Sequence, residues 1–186
     1  PELIEAANQV HPRLVKRGGG VTGVSAREHA LADSRKLVTV HFKVNTVDAM
    51  GANLVNTICE AMAPRLSDLT GGTVAMRILS NLADESLVTA RMRVRPEQLA
   101  TRDMPGDDVA AGIVTASQIA AADPHRAATH NKGIMNGIDP LAIATGNDWR
   151  AIEAGAHAWA AHDSHYGSLT RWWLEDGFLQ GEIVVP

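Results

Sequence analysis

An α+β fold is predicted by three features of this sequence: period-two alternation in its first half, alanine-rich helical stretches from Gly106 onward, and a strand pair at its end. Strands gathered in one part of a chain and helices in another argue against a doubly wound parallel sheet. The alternation is clearest from Lys36 to Val44. Val38, Val40, Phe42 and Val44 share one face there, and Leu37, Thr39, His41 and Lys43 the other. That pattern marks a half-buried strand of an antiparallel sheet covered on one side.

The remaining elements follow in order. Glu2 to Asn8 reads as the tail of a helix, and Arg17-Gly-Gly-Gly20 marks a turn or a close backbone approach. Asp48 stands where an N-cap belongs, ahead of a helix carrying Val55, Ile58 and Met62 at helical spacing. Gly71-Gly72 breaks the chain before a second strand, Thr73 to Leu79. A third strand, Leu87 to Arg95, sets Val88, Ala90, Met92 and Val94 opposite Arg91, Arg93 and Arg95. Val109 to Ala122 forms a helix that stops near Asp123-Pro124. Asp148 or Asn147 caps another through Ala151, Ala154 and Ala158, where Gly155 suits close helix packing. The chain closes on a hairpin, Leu169 to Val185, turning at Glu175-Asp-Gly177, in which Trp172-Trp173 packs in a strand or interface.

Composition narrows the function classes. The 186 residues are 45% apolar and 20% charged, ordinary for a soluble globular protein. No window approaches a membrane-spanning length of uninterrupted apolar residues, so no membrane span is expected. A net charge of −4 argues against a general nucleic-acid binder. Cys59 is the sole cysteine and has no internal disulfide partner, which suits a reducing cytoplasm; no signal peptide is recognisable. The chain opens with Pro1 inside an apparent helix and stops directly after a strand-like run, ends that suggest a piece of a longer protein.

Two segments are candidates for chemistry. Asp48-Ala-Met-Gly-Ala-Asn53 joins a strand to a helix start, where Gly51 permits close backbone approach and free N–H groups favour an anion such as a pyrophosphate. From local physics alone an ordinary capped helix is the commoner explanation. No Gly-x-Gly-x-x-Gly follows a strand, so a Rossmann fingerprint is absent. His130-Asn-Lys-Gly-Ile-Met-Asn-Gly137 places residues of low helix propensity among alanines, which suggests a backbone held for a purpose. Lys132 there is either a proton donor or electrostatic clamp, or a solvated loop lysine. Asp148, within Gly146-Asn-Asp-Trp-Arg150, is an N-cap or a carboxylate holding Lys132 protonated. Arg126 is a bidentate carboxylate clamp or a surface ion pair. The histidines show no metal spacing, and none is expected to hold zinc.

Together the two segments resemble the signatures of class II hydroxymethylglutaryl-CoA (HMG-CoA) reductases, and Ile78-Leu-Ser-Asn-Leu82 and His165-Tyr-Gly-Ser-Leu169 are similar to that family as well. The resemblance covers essentially the whole chain. It implies residues 1–80 as part of a small, ferredoxin-like NAD(P)-binding domain and 81–186 as part of a large HMG-CoA-binding domain. It makes Lys132 and Asp148 catalytic, the lysine stabilising oxyanions at the thioester and mevaldehyde carbonyls. Arg126 and Asn136 then hold the substrate, while Asp48, Met50, Gly51, Asn53 and Asn81 lie on the dinucleotide side. The implied reaction links HMG-CoA to mevalonate and CoA through two equivalents of NADH or NADPH, with no metal. A homodimer or higher assembly is implied, with the active site between subunits. NADH-selective relatives place an aspartate about where His11 stands; His11, with Arg13, Lys16 and Arg17 nearby, lacks that repulsion and leaves NADPH admissible. The family's upstream glutamate and C-terminal flap histidine fall outside this chain, so the piece alone is expected to be inactive. The alternative is a non-catalytic CoA- or nucleotide-binding module on the same scaffold.

Overall fold

The alternating run through Phe42 is a strand in the computed structural model, which describes residues 1–186. Its partner is a strand that the residue pattern had not announced. β1 (Gly20–Ala30) and β2 (Lys36–Asn45) form an antiparallel two-stranded sheet, with Val24 opposite Phe42 and Val21 opposite Val44. Gly20, at φ +118°, lets the sheet approach helix α1 (Glu2–Val10): a Cβ there would lie 2.5 Å from Asn8 Oδ1, the oxygen that accepts the Val21 N–H at 2.7 Å. A short α2 (Pro12–Lys16) follows α1.

Against this sheet lies α3 (Ala52–Thr70). Ala7, Val21, Ile58 and Met62 form the buried centre, extended by Leu3, Val10, Val24, Phe42 and Leu54. Two expectations are corrected here. Asp48 is not the N-cap of α3; Gly51 occupies that position in a left-handed conformation, φ +92°. The intervening residues close a turn of their own, with the Val47 N–H on Asn45 Oδ1 and Thr46 Oγ1 donating to the Ala49 carbonyl. Thr73–Leu79 forms no strand, because no ladder takes its backbone. The segment instead bonds to α3, through Leu79 N–H to Asn56 Oδ1 at 2.9 Å and an Arg77–Glu60 ion pair.

These elements make one unit, Pro1–Leu79; Ser80–Pro186 makes a second. In the second, β3 (Val88–Val94), β4 (Thr170–Glu175) and β5 (Phe178–Val185) form an antiparallel sheet in the order β3-β5-β4. The hairpin turns through Asp176 and Gly177, both at positive φ, 52° and 74°, as a two-residue loop matched to strand twist requires. Gly181 lies opposite Trp172, and a Cβ there would fall 2.5 Å from the indole. α4 (Gly106–Ala122) covers the outer edge of β4, where Ser117 Oγ accepts the Trp172 N–H.

The segment expected to be irregular is helical throughout. α5 runs unbroken from Pro124 to Ala144, through Gly133, Gly137 and Pro140. Tertiary packing overrides propensity here, since Ala127, Asn131, Met135 and Ala142 form one buried stripe. α6 (Trp149–Ala160) begins at Asp148, whose Oδ1 accepts the Ala151 N–H at 3.1 Å, the cap its sequence predicts. Met135, Ala156 and Leu169 join the two helices to the hairpin, with Ile138, Ile152 and Val185 around them. At Gly155 the close neighbour is the Asn81 carbonyl rather than another helix, 2.7 Å from where a Cβ would stand. Gly106 is tighter still, its Cβ position being 1.9 Å from the Pro96 carbonyl oxygen. Gly106→Ala is expected to cost about 1–3 kcal/mol of stability through overpacking, read as a lowered midpoint in urea unfolding. No helix of the chain is long and apolar enough to cross a membrane.

Candidate active site

The first unit concentrates its candidate ligand groups on two adjoining loops. Arg17 reaches Asp48 across them at 3.9 Å, and Gly19 packs so tightly on the other loop that a Cβ would lie 2.6 Å from the Asn45 carbonyl. Asp48 and Met50 are largely exposed. Asn53 stands exposed in the first turn of α3. No side chain caps that turn, so its N–H groups remain open to an anion, beside the positive charge of Arg17. His11 lies at the junction of α1 and α2, half-buried, with Nε2 enclosed and unpartnered.

In the second unit, α5 divides its motif between two faces. Asn131 points inward and is fully buried. Lys132 and Asn136, one turn apart, point outward from an exposed surface on which Gly133 and Gly137 add no bulk. Pro140 has no N–H to give the Asn136 carbonyl, so that oxygen too is free of its helical bond. Arg126 is half-buried on the first turns of the same helix. The Lys132 side chain makes no hydrogen bond or ion pair within the chain, and it is not joined to Asp148, which is engaged in capping α6. Asn81 lies with this unit, its carbonyl against α6 two turns beyond Asp148. A cavity of about 720 Å³ in the same unit is lined elsewhere, by Ser117, Trp159, His165, Ser168, Arg171 and Trp173 among others, and includes none of these residues.

His130, half-buried on α5, bonds Thr170 Oγ1 through Nε2 at 2.6 Å. Burial, and then the charge of Arg126 one turn away, lower its pKa from the ordinary 6.5. The unfolded chain therefore takes up this proton at a higher pH than the folded chain does. The contribution to stability is present above pH 6.5 and is lost as pH falls through the folded value. His130→Gln, which keeps a polar group near Thr170, is expected to flatten the fall in Tm between about pH 7 and pH 5. An unchanged slope would show that another group carries it.

Comparison with known proteins bears on what this arrangement serves. The hydroxymethylglutaryl-coenzyme A reductase family model matches residues 1–186. The chain belongs to that family. A 3-hydroxy-3-methylglutaryl-coenzyme A reductase of Archaeoglobus fulgidus is 48% identical over 188 residues, covering 100% of this chain and 41% of the relative. A probable reductase of Borreliella burgdorferi is 36% identical over 171 residues, 92% of this chain and 39% of its own length. Among solved structures, the class II reductase of Streptococcus pneumoniae, bound to NADPH in open conformations, superposes with a TM-score of 0.91 at 49% identity. That match covers 100% of this chain and 45% of the other. The chain thus spans half or less of the length of the HMG-CoA reductases compared with it.

Within this reductase scaffold, sequence reasoning missed Asn131, Tyr166 and His157, which are bonded to one another behind Lys132. A signal for Asn131 was available: it falls four residues from both Ala127 and Met135, on the apolar stripe of α5. A polar residue on such a stripe needs partners.

Proposed function

We propose that the full-length protein containing this chain interconverts HMG-CoA with mevalonate and CoA, using NADH or NADPH. Family membership supports the reaction class, and one observation carries the assignment of residues. Lys132 leaves a well-packed helix from its open face, unpaired, one turn before Asn136 and next to a fully buried neighbour. A cation so held is free to meet charge developing on a substrate carbonyl.

In this reading the Lys132 ammonium stabilises oxyanions at the thioester and mevaldehyde carbonyls. Asp148 supports it electrostatically, which asks the two side chains, apart in the isolated chain, to approach each other in the working site. Arg126 pairs with the substrate's free carboxylate, and Asn136 holds its polar groups. On the cofactor side the uncapped first turn of α3, Gly51 and Asn53 suit a pyrophosphate, with Asp48, Met50 and Asn81 about the rest of the dinucleotide. When bound, the reduced nicotinamide supplies hydride. No carboxylate stands at His11 to repel a ribose 2′-phosphate, and Arg13, Lys16 and Arg17 are near in sequence, so both cofactors are admitted. The NADPH carried by the pneumococcal relative agrees with that breadth. The working form is a cytoplasmic homodimer or higher assembly whose subunits complete one another's sites, with no metal.

The test is mevalonate-dependent reduction of NAD and of NADP by the full-length protein, followed at 340 nm, a property of the cofactor. Turnover with CoA and mevalonate is expected. Dinucleotide binding without turnover would identify a non-catalytic binding module instead.

A further inference from the structure

Behind Lys132 the chain spends its hydrogen-bonding capacity in an ordered sequence. Asn131 Oδ1 accepts the Leu169 N–H at 2.9 Å, which fixes the orientation of the amide because a backbone N–H can only donate. Nδ2 then donates both its hydrogens, to the Gly167 carbonyl at 2.9 Å and the Tyr166 hydroxyl at 3.0 Å. On its other side the Tyr166 hydroxyl bonds His157 Nδ1 at 2.8 Å, and we take the tyrosine as the donor of that bond. Nε2 of the same ring lies 3.9 Å from the Glu153 carboxylate. The tyrosine and histidine rings lie stacked, 6.0 Å between centroids.

The stretch that receives these bonds is itself fastened. Gly167 N–H donates to the carbonyl of Ala160, the last residue of α6. The residue before Asn131, His130, bonds Thr170. Two consecutive residues of α5 therefore engage Tyr166, Gly167, Leu169 and Thr170, and the next residue is Lys132. Apolar contact through Met135, Ala156 and Leu169 resists separation but is non-directional. Directional bonds decide what apolar contact leaves open, because a one-residue change of phase swings a helical side chain by about 100°.

We propose that Asn131, Tyr166 and His157 form a positioning network that sets the rotation and register of α5 and so aims Lys132 at the reacting carbonyl. The inference rests on the role of Lys132 proposed above. None of the three residues touches substrate in this scheme; they act through the lysine.

The experiment uses the full-length protein, with kcat, KM for mevalonate, Kd for NADH or NADPH, and Tm measured for each variant. Tyr166→Phe and His157→Leu are each expected to lower kcat by about tenfold, with dinucleotide Kd held within about twofold. The double variant should be no worse than Tyr166→Phe alone, since that substitution already removes the bond to His157. His157→Asn places an amide oxygen where Nδ1 stood and is expected to recover kcat to within about threefold of native, as an alternative acceptor for the tyrosine proton. A merely structural role would lower Tm without separating kcat from KM or asparagine from leucine. Native kcat in both single variants, or equal losses for His157→Asn and His157→Leu, would overturn the network. Full activity in Tyr166→Phe beside an inactive Lys132→Ala overturns the network alone; retained turnover in Lys132→Ala overturns the proposed function and the network with it.

Discussion

Lys132→Ala is expected to lower kcat of the full-length protein by about a hundredfold to a thousandfold, the loss that follows removal of a single preorganised oxyanion partner. The structure makes this an informative substitution. The Lys132 side chain is exposed and makes no bond within the chain, so its truncation leaves no buried group without a partner. Stability should then change by no more than about 0.5 kcal/mol, and a loss of rate reports chemistry rather than folding. Dinucleotide affinity, which the proposal assigns chiefly to the loops of the first unit, should stay within about twofold, checked by quenching or enhancement of NADH fluorescence. Lys132→Arg is expected to recover little, because a planar, delocalised fork does not reproduce a compact ammonium. Turnover above about a tenth of native in the alanine variant would remove the lysine from its assigned role.

The second large effect is expected at Gly51. Its backbone is left-handed at φ +92°, and a Cβ would stand 2.7 Å from the Thr46 Cγ2 methyl. Gly51→Val combines that collision with the cost of placing a β-branched residue in the left-handed region, about 1–2 kcal/mol. The turn that presents the first N–H groups of α3 must shift in response. Affinity for NADH and NADPH is expected to fall by about tenfold or more, since those N–H groups are the proposed anion site. Leu69→Ala, at an exposed position near the far end of α3, is the control and should bind both nearly as the native protein does. Native affinity in Gly51→Val would place the dinucleotide elsewhere.

How far the fold was legible depended on whether local pattern or distant packing decided each element. β2, α4, the Asp148 cap and the Asp176-Gly177 turn carry their own signals and appear as expected. β1 does not, because Gly20, Gly23, Arg27 and Glu28 blur its alternation and only the ladder with β2 makes it a strand. Thr73–Leu79 shows the converse: strand-like residues stay out of a sheet when no edge takes them. The helix through Gly133 and Gly137 was hidden for a related reason. Its stabilisation comes from partners far away in sequence, Leu169 and Ala156 among them, and a propensity sum over neighbours contains none of that. Of the candidate site, motif alone proposes residue identities, whereas the outward direction of Lys132 and Asn136, the inward direction of Asn131, and the separation of Lys132 from Asp148 emerge only from coordinates.

The position of β3 has a bearing on solubility. It borders the three-stranded sheet and pairs only with β5, and Val88 and Met92 are exposed to solvent. An unpaired border of this kind invites a strand from another molecule. Arg91 and Arg93 interrupt the seven-residue run with positive charge, one tied to Glu182 at 2.6 Å and the other laid over the Phe178 ring. They serve as gatekeepers: with threonine in both places the strand would be uncharged and β-prone throughout, and its border would become a nucleus for ribbon growth.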